Sequence, residues 1–149
     1  MTTEEYLNQA IRCERMIRNK MTEIQRYRDL ATSVTVENNP NKVQTSGSKD
    51  KLGEFMARVV DMEVEVARLK NTRETIIRQI ESIEDADFYQ ILYSKYIDGD
   101  NLFTIKDIIH CSKSTVYVLH EKALAEFESK YGKLYIKPTR KRKKKEEKE

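Results

Sequence analysis

An apolar stripe between residues 52 and 83 constrains the fold of this chain more than any other feature. Its members recur at alternating steps of three and four residues, the spacing that places side chains on one face of an α-helix. The stripe comprises Leu52, Phe55, Val59, Met62, Val66, Leu69, Ile76, Ile80 and Ile83. Only Arg73 interrupts it. A stripe of this length is typical of a coiled-coil helix, because it must pack against another apolar surface to escape water.

A second apolar stripe, nearer the start of the chain, provides a packing partner for this helix. It comprises Leu7, Ala10, Ile17, Met21, Ile24 and Ala31, with Ile11 and Tyr27 beside it. Thr2 and Glu5 have the spacing of a capping box, and Asp50 is a predicted N-cap for the second helix. The segment 32–49 is rich in Asn, Ser and other turn-forming residues, which predicts a loop. We therefore predict an antiparallel coiled-coil hairpin over residues 1–84, although pairing with a second copy of the chain satisfies the same periodicity.

Residues 85–132 predict three shorter helices around a common core. The first spans residues 88–97 and is ended by Gly99, which readily adopts a positive φ. The second spans residues 102–109, and the third spans residues 112–131. The inner stripe of the third helix comprises Val116, Leu119, Ala123, Leu124 and Phe127. The chain is therefore predicted to be all-α, a long hairpin followed by a three-helix domain, and we expect the three-helix part to fold by itself.

The segment from Leu102 to Glu121 has the pattern of a helix-turn-helix. Two short, steeply crossing helices bury side chains against each other at fixed places. The residues at those places are Ile105, Ile109, Cys111, Val116 and Leu119. Asp100 or Asn101 can cap the first of these helices, and the Ser112 hydroxyl can cap the second. Such a fold presents the start of one helix to the major groove of DNA, but the pattern also fits a plain helical hairpin with no further role.

Charge is distributed unevenly along the chain. The net charge is +3, but the segment from Lys137 to the end holds eight Lys or Arg and three Glu, a net +5, which leaves −2 for residues 1–136. We expect residues 133–149 to form a basic, disordered tail. Such a tail can neutralise DNA phosphates, which the slightly acidic body does poorly.

The remaining composition restricts the class of protein. Only 4 Gly and 2 Pro occur, Trp is absent, and 36% of residues are charged, which favours helices. No apolar run reaches the ~18 residues of a membrane span, and the first residues lack the features of a secretory signal. Cys13 and Cys111 form no spaced motif, so we expect free, buried thiols and a cytoplasmic protein.

Three segments of the C-terminal part resemble the fourth conserved region of bacterial sigma factors. They are Leu92-Tyr-Ser-Lys-Tyr-Ile-Asp-Gly99, then Ile105, then Ser112-Lys-Ser-Thr-Val-Tyr-Val-Leu-His-Glu-Lys-Ala-Leu124. The chain more closely resembles small phage and prophage transcriptional regulators of Gram-positive bacteria, the ArpU-like and RinA-like late-gene activators. The resemblance covers about residues 86–128. It implies binding to double-stranded DNA, contact with host RNA polymerase, and a long helical segment before the helix-turn-helix.

The resemblance also implies which residues face DNA. Lys113, Ser114 and Tyr117 lie at the start of the recognition helix. We add neighbouring polar residues and the basic tail to the predicted DNA-binding set. These are Ser112, Thr115, His120, Lys122, Arg140, Lys141 and Arg142. Val118 stands where the family often has Arg or Lys, so one expected contact is missing.

Two positions of the helix-turn-helix depart from the family pattern. Lys106 replaces a small residue where the two helices approach, and its methylene stem can lie across the partner helix with the ammonium outward. His110 replaces the glycine of the turn, and histidine tolerates the left-handed region better than most residues.

The sequence gives no sign of an enzyme or a cofactor. His110, Cys111 and His120 are too few for a metal site, which needs about four convergent ligands, and no glycine-rich phosphate loop occurs. We therefore expect a sequence-specific regulator, whose hairpin forms a homodimer or docks on polymerase. Two alternatives stay open: a phage-encoded adaptor or inhibitor of a host complex, and a DNA-packaging recognition subunit.

Overall fold

The computed structural model describes residues 1–36 and 47–138, and within these ranges every regular element is helical. The elements are α1 (Thr3–Val36), α2 (Gly47–Glu81), α3 (Ala86–Tyr96), α4 (Leu102–Ile108), α5 (Lys113–Tyr131) and a 3₁₀ turn (Gly132–Leu134). The prediction of an all-α chain with a long antiparallel helix pair followed by shorter helices is confirmed. None of the helices in the described part of the chain is long and apolar enough to cross a membrane.

The first two helices bury most of the predicted stripes against each other. Ile24, Val59, Met62 and Val66 form one cluster, flanked by Ile17 and Tyr27. Met21 was expected in the stripe but is 52% exposed, because it lies at the edge of the contact. Leu52 and Phe55, at the start of the predicted stripe, are half-buried.

The loop between the long helices is shorter than predicted. α1 continues to Val36 because residues 32–36 include no glycine or proline to break it. α2 already begins at Gly47. Asp50 therefore lies within the first turn of α2, and its expected role as N-cap is corrected. At the other end of the hairpin the capping box is confirmed: the Glu5 N–H donates to Thr2 Oγ1, and the backbone N–H of Thr2 donates to Glu5 Oε2 at 2.8 Å.

Charged residues pair across the hairpin. Arg73, which interrupts the stripe of α2, has Nη2 3.7 Å from Glu14 Oε2 on α1. Arg28 of α1 pairs in the same way with Glu63 of α2. These side chains are partly exposed, and each such pair contributes only ~0–1 kcal/mol. These pairs favour one orientation of the helices. The residue nearer the start of α1, Glu14, meets the later residue of α2, Arg73, and Arg28 meets the earlier Glu63, an order that only antiparallel helices allow.

The largest core joins the base of the hairpin to the C-terminal helices. Its buried members come from α1, α2, α3 and α5 and from the segments that directly follow α2 and α3. They are Leu7, Ala10, Ile76, Ile80, Ile83, Leu92, Tyr96, Ile97, Ala123, Leu124 and Phe127. Tyr6 of α1 also stacks on Tyr135 beyond α5, with ring centroids 4.3 Å apart. The hairpin and the three-helix part therefore share one core, which argues against the expectation that the latter folds alone.

A smaller core holds the helix-turn-helix together. It contains Ile91, Leu102, Ile105 and Val116, with Ile109, Cys111 and Leu119 against it, as the spacing predicts. Asn101 caps α4 by accepting from the Thr104 N–H at 2.9 Å, and Asp85 caps α3, which extends that helix back to Ala86. The turn between α4 and α5 places His110 at φ 55°, in the left-handed region, as expected for the position that glycine usually fills.

A fragment containing only residues 85–149 should lose cooperative folding. Removing α1 and α2 returns Leu92, Tyr96 and Phe127 to water, and each large side chain so exposed costs about 1.5–3 kcal/mol. A whole domain is stable by only about 5–15 kcal/mol. We expect reduced helicity by circular dichroism and a broad urea transition, whereas the full chain unfolds sharply. A sharp transition in the fragment would show that the small core is sufficient.

The effect of substitutions at His110 on stability should depend on the left-handed backbone conformation and not on contacts of the side chain. His110 is exposed, so His110→Gly should leave stability nearly unchanged, whereas His110→Val should make the protein less stable than the Gly variant by about 1–2 kcal/mol, the cost of the left-handed conformation. Urea unfolding of both variants measures the difference. Equal stability would mean that the turn relaxes out of the left-handed region.

Candidate nucleic-acid interface

Ser112 caps the N-terminus of α5, and the first residues of this helix are exposed. Its hydroxyl oxygen accepts from the Thr115 N–H at 3.3 Å and lies 2.8 Å from Thr115 Oγ1. Ser114 Oγ is 3.2 Å away, so three hydroxyl groups are grouped at this helix end. Together with Lys113, all of these residues are exposed. Four predicted DNA contacts therefore lie at one accessible helix N-terminus, where free N–H groups and the helix dipole favour a phosphate.

The next turn of α5 carries an exposed aromatic and apolar surface. Tyr117 is 51% exposed and Val118 is 54% exposed. The family pattern marks Val118 only as a missing cationic contact, but its methyl groups are accessible and can pack on a thymine methyl in the major groove. Lys122, one turn further, is also exposed. Core packing cannot account for these side chains, since Val116 and Ala123 fill the inner face of the helix.

The preceding helix also leaves apolar side chains in solvent. Phe103 is 62% exposed and Ile108 is 44% exposed. The Lys106 ammonium lies 4.5 Å from the centroid of the Phe103 ring and 2.8 Å from Asp107 Oδ1. The Lys106 side chain is 21% exposed, and its ammonium pairs with Asp107 of the same helix. The expected contact of its methylene stem with the partner helix stays a prediction.

His120 does not belong to the exposed surface, and its predicted DNA contact is corrected. The side chain is 4% exposed, and Nε2 lies 2.9 Å from the hydroxyl oxygen of Tyr96 on α3. Burial is the main cause that lowers the pKa of His120, assisted by the nearby Lys95, and burial raises the pKa of Tyr96. Both groups are therefore held neutral, and their bond attaches α5 to α3. The sequence contained this signal, because His120 lies four residues after Val116 on the inner stripe.

This region lacks the net positive charge that is typical of a nucleic-acid interface. Residues 86–136 contain six Lys and seven Asp or Glu, a net −1. Lys113 and Lys122 are the basic residues on the exposed part of α5 next to Tyr117, and Glu121 opposes them. The predicted contacts Arg140, Lys141 and Arg142 lie outside the described residues.

One group of side chains near this surface could hold a metal ion. Glu4, in the first turn of α1, meets His120 and Glu121 of α5, and their ligand atoms all lie within 4.8 Å of one another. Sequence reasoning considered His120 only with its neighbours in the chain. It missed this group because the fold supplies Glu4 from the opposite end of the sequence.

Comparison with known proteins identifies a family but no function. The family described as "Protein of unknown function (DUF1492)" matches residues 30–128, from the last turns of α1 to near the end of α5. No curated protein matches the chain, and no solved structure does. The match includes the whole helix-turn-helix and covers about two-thirds of the sequence. The chain therefore belongs to the DUF1492 family.

Proposed function

We propose that this protein is a sequence-specific, double-stranded-DNA-binding regulator of transcription that reads DNA with the start of α5. One observation carries the proposal: Lys113, Ser114 and Tyr117 are exposed together at the N-terminus of a capped helix. The small core behind them packs α4 against α5, so the exposed side chains stand on a rigid support. This is the arrangement in which a recognition helix enters the major groove.

The residues of this surface divide into two roles. The hydroxyls of Ser112, Ser114 and Thr115 and the free N–H groups beside them suit phosphate oxygens, which position a protein on the duplex without reading sequence. Lys113 and Tyr117 offer donors to base edges, and Val118 offers an apolar contact. Preference for one sequence therefore depends on a few side chains in the first two turns of α5.

Phosphate neutralisation is assigned mainly to the C-terminal tail. The body of the protein carries −2, whereas the segment from Lys137 carries +5. Released counterions supply most of the nonspecific affinity for DNA, and a body of this charge releases few. We therefore infer that the helices select the site and that the tail strengthens binding to any site.

The resemblance to phage and prophage late-gene activators supports a second contact, with host RNA polymerase. We infer that the hairpin supplies the protein contact, since it extends away from the core that holds α5. Met56, Val60 and Val64 recur every four residues along α2 and are 46%, 54% and 67% exposed. This apolar strip also favours the second candidate function, an adaptor that binds a protein complex and uses the helix-turn-helix only as scaffold.

Selection of bound fragments from a bacteriophage or host genome, followed by anisotropy titration, tests the proposal. Lys113→Ala should weaken binding to the selected site by about 1–3 kcal/mol if the ammonium contacts a base, and Tyr117→Ala should add to that loss. Lys133→Ala is the matched control, because Lys133 is exposed beyond α5 and away from its start. Unchanged affinity of the double variant for every DNA tested would contradict reading by α5 and leave the adaptor as the better explanation.

Truncation after Ile136 should flatten the salt dependence and preserve the preferred sequence. For each phosphate that the shortened protein no longer neutralises, the slope of log K against log salt should decrease by about 0.9. The measurement is a titration at several salt concentrations on the selected site and on an unrelated duplex of equal length. A slope that is the same with and without the tail would place the phosphate-binding residues on the helices.

A further inference from the structure

The first turn of α1 packs against the second half of α5, and this contact brings together side chains from distant parts of the sequence. Thr3 is 5% exposed, and its hydroxyl donates to Glu128 Oε2 at 3.0 Å. Tyr135 completes the link, because its hydroxyl lies 3.0 Å from the same Thr3 oxygen. Glu4 follows directly, so its backbone position relative to His120 and Glu121 is determined by these bonds.

His120 supplies the imidazole of this group. Its ring is nine-tenths buried, and its Nε2 is paired with the Tyr96 hydroxyl. Among the described residues no hydrogen bond occupies Nδ1, and this atom is not fully buried, since Arg73 Nε is the one fully buried polar side-chain atom there without a partner. In the tautomer in which Nε2 carries the proton and donates to the Tyr96 hydroxyl, Nδ1 has a free lone pair. Histidines that bind metals usually have the second nitrogen held in this way by a hydrogen bond.

The two carboxylates beside this ring lack a cation of the protein. Both side chains are exposed, and neither Glu4 nor Glu121 makes an ion pair with a described Lys or Arg. Glu128 lines the same groove, next to Leu124 and Ala125, and adds a third negative charge. A group of converging carboxylates at this distance is repulsive unless a positive charge is bound between them.

We propose that Glu4, His120 and Glu121 bind a divalent transition-metal ion of the Zn²⁺ class. One imidazole nitrogen and two carboxylate oxygens are ligands that this class accepts, with water at the remaining position. Ca²⁺ and Mg²⁺ prefer oxygen ligands alone and are disfavoured by the imidazole. Coordination bonds of about 2.0–2.2 Å require the ligand atoms to approach further, which the two flexible, exposed glutamates can do. The bound ion would connect the first turn of α1 to α5.

Calorimetric titration of the full chain with Zn²⁺ in chelator-free buffer tests the site. One-to-one binding is expected, and both Glu4→Gln and Glu121→Gln should weaken it at least about tenfold. Glu126→Gln is the matched control on the same helix and should bind as the unchanged protein does. Zn²⁺ should raise the Tm of the unchanged protein and of the control but not that of the double variant.

The two histidines of the chain provide a local readout that does not depend on stability. In proton spectra, substoichiometric Co²⁺ should shift or broaden the ring signals of His120 and leave those of His110, which lies exposed in the α4–α5 turn, unchanged. Binding that persists in the double variant Glu4→Gln, Glu121→Gln would place the ion on other side chains, such as the free thiols of Cys13 or Cys111, and overturn the proposal. Preferential broadening of His110, or absence of saturable binding, would also overturn it. None of these results depends on whether the protein binds DNA.

Discussion

Close packing of Leu7, Ile80 and Phe127 at the base of the hairpin determines how the other parts of the molecule are arranged. These residues come from α1, α2 and α5, and each is fully buried in one core. Because that core takes up the C-terminal half of α5, the N-terminal half is left to project from the small core around Ile105. The same packing brings the first turn of α1 beside His120. Both proposed sites therefore depend on an apolar contact to which neither contributes directly.

Shape and charge are supplied by different parts of this chain. The helices provide a capped, rigid helix end with an exposed Tyr117, but residues 86–136 carry a net −1. Under the proposed function, affinity for a polyanion depends mainly on the segment from Lys137, where the sequence concentrates its positive charge. This separation allows site selection and overall affinity to change independently, since substitutions in the tail leave the surface of α5 intact.

The local features of this fold were predictable, whereas the contacts between distant elements were not. Periodicity identified the stripe of α2, and side-chain chemistry identified Ser112 as a cap and His110 as a left-handed residue, because each depends on a few neighbouring residues. Periodicity does not tell which faces meet, so it missed the core shared by Leu7 and Phe127 and the approach of Glu4 to His120. The predicted DNA contact of His120 was wrong for another reason. His120 lies on the inner stripe of α5, and its polar ring can be buried there because Nε2 forms a hydrogen bond with the Tyr96 hydroxyl.

The shared core has a mechanical consequence. α1 is 34 residues long, which corresponds to about 50 Å at 1.5 Å per residue, and its base is packed directly on the helix that carries Lys113 and Tyr117. The hairpin and α5 are thus coupled through the packing around Phe127. If the hairpin moves as a rigid unit, a small sideways displacement of its far end changes the angle at which α5 is presented. Under the proposed function, a partner that binds the far end of the hairpin would change the orientation in which α5 meets DNA without contacting α5.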